Sequence, residues 1–442
     1  MSLGQIGSDI PKNWELPLLV DLVSPKQWKT IPTKNLTENG YVVYGANGKI
    51  GFYSEYTHEK QTLMITCRGA TCGNLHISEA FSYINGNAMA LDSQPIELVG
   101  LEFLFYALQA RGLQDTISGS AQPQITGKGL QEVRVPLPPL AEQKAIADKL
   151  DTLLEQVVTT KARLESTLEN LRQFRQSVLA DAVSGKLTED WRKTSELIRW
   201  EPVKLGSFVE KIEAGKNLKC IESPPKDNEF GIIKISAVTW GSYDEEQSKT
   251  LPQNDLFIES RRILVGDFLI SRANTLELLG NPVIVHRVTK NLMLSDKVLR
   301  LVMNDKDKPW ISIFLRSTSG RKEIESRSTG NQMSMRNIGQ KALLDIDLPK
   351  PPESEQTEIV NRVEKLFAGA DATEQQVSQA LERVNNLTQS ILAKALRGDL
   401  TEQWRKDNPE LISGDNSAEV LLEKIKAERA ITKPTRNTRK KA

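Results

Sequence analysis

"PLPPLAEQKAIADKLDTLLEQ" at Pro136–Gln156 and "PKPPESEQTEIVNRVEKLFAG" at Pro349–Gly369 are two versions of one phrase. They align without a gap at an offset of 213 residues, and the match continues through "GKLTEDWR" (Gly185–Arg192) and "GDLTEQWR" (Gly398–Arg405) to Lys193 and Lys406. Solenoid units repeat every 20 to 50 residues or so, which makes this a duplicated module instead. In each copy the double proline bars helix before it, and Glu142 or Glu355 places an acid in the first turn, where the helix dipole favours it. Helices are therefore predicted to begin near Ala141 and near Ser354. They should end at Gly185 and Gly398, the residue type that takes a left-handed turn after a helix.

Apolar residues recur every seventh position: Leu150, Val157, Leu164, Leu171 and Val178 in one copy, Val363, Ala370, Val377, Val384 and Ile391 in the other. That is a coiled-coil seam. The companion positions mix Leu154, Lys161, Leu168, Arg175 and Ala182 against Phe367, Glu374, Leu381, Thr388 and Ala395, so the seam is partly polar. Each run lasts about 42 residues, roughly 60 Å of helix, too long to lie on one small domain. The two helices are expected to pair with each other; the alternative is a surface helix on each of two domains.

The segments between the helices read as mixed strands and short helices, with strand-like runs "YVVYGA", "TLMITC", "GIIKISAV", "DFLISR" and "NPVIVHRV" broken by Gly, Asn and Pro. Three echoes recur in the same order in both: "NWELPLLVDLV" with "RWEPVKLGSFV", "LMITCRGATCGN" with "FLISRANTLELLGN", and "GSAQPQITG" with "TGNQMSMRN". The expected fold class is α+β. Two mixed α/β domains of one fold carry divergent surfaces, at 1–135 and 196–346. The helical regions occupy 136–195 and 347–410, and a C-terminal helix with a basic tail fills 411–442. Antiparallel pairing would put the two domains at opposite ends of the coiled coil, related by a pseudo-two-fold axis.

Composition excludes more than it assigns. The 442 residues balance 58 Lys and Arg against 57 Asp and Glu, so net charge does not announce a polyanionic partner. The N-terminus lacks the basic start and apolar run of a signal peptide, and no segment approaches a membrane span, so a cytoplasmic protein is expected. Cys67, Cys72 and Cys220 are too few for a disulfide framework. "YGANGKIG" at Tyr44–Gly51 fails as a phosphate loop, because Val43 replaces the first glycine and Ile50 the magnesium-binding hydroxyl. "SPPK" at Ser223 has Lys226 where an amino-methyltransferase needs an aromatic. Cys67, Cys72 and His76 have a C-x4-C-x3-H spacing without an obvious fourth ligand, and no metal is expected. With three histidines in all, acid/base chemistry has few candidates.

"LPPLAEQ", the long helices and "NLTQSILAKALRGDLTEQWRKDNPELISGDNSAEVLLEKIKAERA" together resemble the specificity subunits of type I restriction-modification enzymes, in particular the type IA branch. The resemblance implies a non-catalytic DNA reader. Each variable domain would be a target recognition domain for one half of a bipartite, asymmetric sequence, with the helices as a ruler between the half-sites. Two modification subunits, carrying adenine-N6 methylation and S-adenosylmethionine, would dock on the conserved regions. Two restriction subunits with ATP- and Mg-dependent translocation and cleavage would join them. The rival readings are a self-contained enzyme and a coiled-coil adaptor without DNA readout.

The DNA-binding candidates are Arg68 and Arg272, placed at the same point of the strand echoes and suited to bidentate contact with guanine. Gln122, Gln124, Gln332 and Arg336 lie in polar loops before the helix starts, and Asn47 and Lys49 share the glycine turn. Arg316, Arg321 and Arg327 lie in the densest cationic stretch. Trp191 with Arg192 and Trp404 with Arg405 are the candidates for partner docking, an aromatic anchor shown twice.

Overall fold

The computed structural model describes residues 10–46, 48–119, 122–193, 200–226, 228–332 and 335–432. The two long helices span Leu140–Ser184 and Glu353–Leu396, 45 and 44 residues. Gly185 and Gly398 follow them in the left-handed conformation, φ +79° and +75°. The chain divides into two units inside both helices. The first comprises Met1–Leu164 with Ala380–Ala442, and the second Glu165–Gln379.

In the first unit a four-stranded antiparallel sheet runs in the order Ser24–Gln27, Ala88–Asp92, Leu63–Thr66, Leu75–Ile77. A second sheet places Tyr41–Gly45 antiparallel to Gly48–Tyr53 and parallel to Tyr83–Ile84. The helix Leu101–Arg111 buries Phe103, Leu104, Ala107 and Leu108 in the main core. That core also receives Ile146 and Leu150 from the first long helix, Leu392, Ala395 and Leu396 from the second, and Leu421 and Ile425 from the C-terminal helix Ala418–Thr432.

The second unit repeats this plan. Its four-stranded sheet runs Val209–Ala214, Val298–Met303, Phe268–Ser271, Pro282–Ile284, again all antiparallel. In its smaller sheet Phe230–Ile233 is antiparallel to Ser248–Thr250 and parallel to Asn291–Met293. Strand order and direction therefore match between the units, as the three sequence echoes suggested. The core gathers Trp310, Phe314 and Phe268 with Val178, Leu179 and Ala182 of one long helix and Ile359 and Val363 of the other.

Within each unit the long helices run antiparallel. Lys149 donates to the Leu400 carbonyl (2.8 Å) in the first unit. Arg175 binds Asp371 (2.8 Å) and Glu374 (2.6 Å) in the second. The polar companion positions of the seam, Arg175 and Glu374, are thus paired with each other. Of the heptad positions, Leu150, Val178, Val363, Ala370, Val377 and Val384 are buried, as an apolar seam requires.

The register also corrects one sequence alignment. Cys67 N–H donates to the Asn87 carbonyl and its carbonyl accepts from Ile125; Arg272 makes the same pair of bonds with Lys297 and Ile338. Arg272 therefore stands where Cys67 does, one residue away from Arg68. Because side chains alternate along a strand, a one-residue slip changes the face on which a side chain emerges. Arg68 is exposed and Arg272 half-buried.

Candidate functional site

The repeated phrases build a repeated latch. In the first unit the Glu142 carboxylate, fully buried in the first turn of its helix, accepts from Trp14 Nε1 (2.8 Å), Thr401 Oγ1 (2.6 Å) and Arg405 Nη1 (2.5 Å). In the second unit Glu355 accepts from Trp200 Nε1 (2.8 Å), Thr188 Oγ1 (2.8 Å) and Arg192 Nη1 (2.5 Å). Each latch fastens the start of one long helix to the turn that ends the other. A buried carboxylate is tolerated only when paired and fully hydrogen-bonded, and here both oxygens are occupied. The arginines also bear on the exit glycines: Arg192 Nη2 donates to the Gly185 carbonyl, and a Cβ at Gly185 would come within 2.6 Å of Arg192 Nη1. The next residue is duplicated as well. Gln143 and Gln356 are buried and donate to the carbonyls of Pro138 (3.1 Å) and Pro351 (2.8 Å), so the "PP..EQ" spelling fixes how each helix begins.

The partner-docking candidates therefore divide. Arg192 and Arg405 use their guanidiniums inside the protein, while Trp191 and Trp404, one position earlier, are half-buried on the short helices Glu189–Arg192 and Glu402–Asp407. Sequence reasoning missed Trp14, Trp200, Thr188 and Thr401 as latch members. The signal was present, since the two threonines recur at the 213-residue offset and the two tryptophans occupy equivalent places in the first echo.

In the first unit Arg68, Gln122 and Gln124 are brought together. Arg68 bridges Gln124, Gly69 N–H donates to the Pro123 carbonyl, and all three side chains are exposed. Lys49 is exposed on the Gly48–Tyr53 strand and ion-pairs with Glu79, which raises its pKa by hydrogen bond and charge. Asn47 lies outside the described residues.

In the second unit the cationic stretch is divided between tasks. Arg321 donates to the carbonyls of Leu279 (2.6 Å) and Leu276 (2.9 Å), which ties down the 276–279 loop. Arg327 sits among Glu323 (2.8 Å), Asp347 (3.3 Å) and Asp345 (3.8 Å). Arg336 folds back onto Ser328 and the Gly330 carbonyl across the hairpin Thr329–Gln332 and Met335–Asn337. These three guanidiniums have internal work, which the clustering of charge in the sequence did not reveal. Gln332 lies on the first hairpin strand; its side chain is outside the described residues. Arg316 differs, being half-buried against the face of Phe367 at 5.9 Å with no carboxylate in ion-pairing reach among the described residues.

Cys67 and Cys72 are buried thiols whose pKa values burial pushes up, and Gln27 donates to the Cys67 sulfur at 2.9 Å. Among the described residues no three His, Cys, Asp or Glu side chains cluster to hold a metal. No helix among them is long and apolar enough to cross a membrane.

Residues 11–170 and 198–383 match the family model of the type I restriction modification DNA specificity domain. The chain is 43% identical over 318 residues to the EcoKI specificity subunit of Escherichia coli strain K12, covering 70% of this chain and 67% of that one. It is 32% identical to the Escherichia coli EcoDI specificity subunit over the whole of both. Among solved structures it resembles the HsdS subunit from Thermoanaerobacter tengcongensis, with TM-score 0.54 and 19% identity over 88% of this chain and 98% of that one. It also resembles a chain from a structure concerned with complex assembly and conformational transition of the type I R-M system, with TM-score 0.67 and 19% identity over 89% and 100%. With two duplicated latches, two domains of one strand order and a family match over most of its length, this chain belongs to the type I restriction-modification DNA specificity family.

Proposed function

We propose that this chain is the non-catalytic DNA reader of a type I restriction-modification complex, acting in the cytoplasm. Residues 1–135 and 196–346 serve as recognition domains, each reading one half of a bipartite target, and the paired helices set the gap between the halves. The observation that carries this reading is the pairing of identical supports with different surfaces. Strand order and latch are the same in both units, yet exposed Arg68 and Gln124, paired in one, correspond to the paired Ala273 and Asn337 in the other. A scaffold has no use for that difference, whereas a reader of an asymmetric sequence requires it.

The repeat also offers two equivalent places for two copies of one partner. Phe174 and Leu387, separated by the same 213 residues, are 40% and 44% exposed on the long helices, and Trp191 and Trp404 stand beside the latches. Large apolar side chains left in solvent at matching positions suit docking of two modification subunits, which would supply S-adenosylmethionine and adenine-N6 transfer. Two restriction subunits would supply ATP- and Mg-dependent cleavage. Replacing both Trp191 and Trp404 with Ala should lower the number of bound modification subunits without unfolding the chain.

The decisive experiment is co-expression with a cognate modification subunit, followed by base-resolution mapping of N6-methyladenine. The expected outcome is a two-part motif with a constant gap. Methylation at a continuous motif, or at none, would overturn the reading. Deleting one heptad at equivalent points of both helices should shorten the gap.

A further inference from the structure

Trp240 is the one solvent-facing tryptophan among the described residues, 75% exposed, and it is not on a loose loop. Asn281 Nδ2 donates to the carbonyl of the preceding Thr239 (2.8 Å), Asn274 Nδ2 reaches Thr239 Oγ1 (3.3 Å), and that hydroxyl donates to the Ile235 carbonyl (2.9 Å). Gly241, at φ +82°, completes the turn on the other side and brings its backbone against the Arg316 guanidinium. A large indole held in water by a fixed turn is preorganised for contact.

The turn forms one wall of a cleft of about 820 Å³ in the second unit, lined also by Arg172, Arg175, Arg316, Arg321 and Phe367. Four guanidiniums meet there, and three are satisfied. Arg175 is held by Asp371 and Glu374, Arg172 by Glu169 at 3.4 Å, and Arg321 by two carbonyls. Arg316 has the Phe367 face and no direct ion pair among the described residues, the neighbouring Asp371 being bound by Arg175. Burial depresses its pKa, the neighbouring positive charge of Arg175 adds to the depression, and Asp371 offsets it only in part. An anion delivered from outside would relieve both. Glu277 and Glu325 also line the cleft, so this is a point contact and not a basic groove.

Resting on the reading of the chain as a DNA reader, we propose that Arg316 and Trp240 form a duplex-DNA contact of the second recognition domain. Arg316 takes one backbone phosphate, and the Trp240 indole packs on the adjoining deoxyribose and base edge. Phosphate contacts fix register without reading sequence, so this pair positions the domain and leaves base choice to other residues. Neither the cationic clustering nor any motif marked Trp240 in the sequence.

The test uses the full chain assembled with its modification subunit and a duplex carrying the mapped target. Arg316→Met should reduce the magnitude of the slope of log K against log salt by about 0.9, and Arg316→Lys should retain most of it. Trp240→Ala should weaken binding roughly tenfold or more, with an unchanged melting temperature. Trp240→Phe should abolish the fluorescence quench that DNA produces in the parent. If the parent binds its mapped duplex while Arg316→Met keeps the full salt slope and Trp240→Ala the full affinity, the contact is refuted and the DNA-reader reading survives. Fluorescence quenching by inorganic phosphate or a mononucleotide, but not by duplex, would reassign the cleft to a small anion. A parent that binds no duplex refutes both.

Discussion

The two units share a strand order and a latch, yet they are finished differently. The first is closed by a helix with no counterpart among the described residues of the second. From Ala418–Thr432 the Arg429 guanidinium reaches the carbonyls of Leu22 (2.9 Å), Ser93 (2.9 Å), Val23 (3.0 Å) and Val20 (3.2 Å), and Ser24 Oγ (3.0 Å). It caps the carbonyl end of the short Leu19–Leu22 helix with a buried cation. The second unit instead relies on ion pairs, buried as well as exposed. Arg300 links Glu213 (2.7 Å) and Asp267 (2.9 Å), and Arg327 joins Glu323, Asp345 and Asp347. Duplication preserved what holds the helices and left each domain to stabilise its own periphery.

The largest effect should come from the shared element. Glu142→Ala and Glu355→Ala each strand a largely buried arginine, at a cost of about 3–5 kcal/mol. Urea unfolding followed by tryptophan fluorescence should give similar losses for the two variants, and a difference much above 1 kcal/mol would break their equivalence. Next is the unshared element. Arg429→Met leaves several buried carbonyls unpaired and should cost roughly 2–3 kcal/mol. Hydrogen exchange should then rise in 10–164 and 418–432 while 165–379 keeps its protection.

A smaller effect separates internally bonded cations from those proposed to contact DNA. Arg321→Met and Arg327→Gln should each lower stability by roughly 1–2 kcal/mol, leaving the salt dependence of DNA binding unchanged. Flattening of that dependence by either would return them to the interface. The smallest concerns pH. Lys211, with Arg300 beside it, holds Glu213 below the ordinary carboxylate range; burial opposes the same shift at Glu245, but hydrogen bonds from Thr289 and Lys290 prevail. A depressed folded pKa gives stability that is present above the unfolded value and lost as pH falls through the folded one. Burial raises Asp267 and works the other way. In the first unit Asp115, bound by Arg111, is a comparable depressed group. Acidification from pH 6 to about 3 should therefore open the 165–379 unit first, as read by exchange at matched intrinsic rates.

What the sequence disclosed was whatever repeats. A 213-residue offset, two prolines before each helix and a glycine after it located both helices to within a residue or two, because helix starts and stops are written locally. The seam was legible too, and even its polar defect, since Arg175 and Glu374 turned out to be partners. Contacts between residues far apart in the chain were not. Nothing near Arg192 or Arg405 in sequence says that each points at a buried acid, so they looked like exposed charge beside Trp191 and Trp404. The internal partners of Arg321 and Arg327 were hidden for the same reason: a run of cations looks alike whether it faces carbonyls or solvent. The alignment of Arg68 with Arg272 failed because short strands carry no marker of register finer than their apolar core.

The latches also impose an order of assembly on the growing chain. The 165–379 unit is continuous, and its latch is complete once Glu355 has been made. Glu142 must wait for Arg405, 263 residues later, and the Leu19–Leu22 carbonyls wait for Arg429, more than 400 residues away. Distant pairings form late because the closure entropy of long loops must be met first. The middle of this protein is therefore expected to settle on the ribosome while the domain that precedes it is held open until Arg405 and Arg429 emerge.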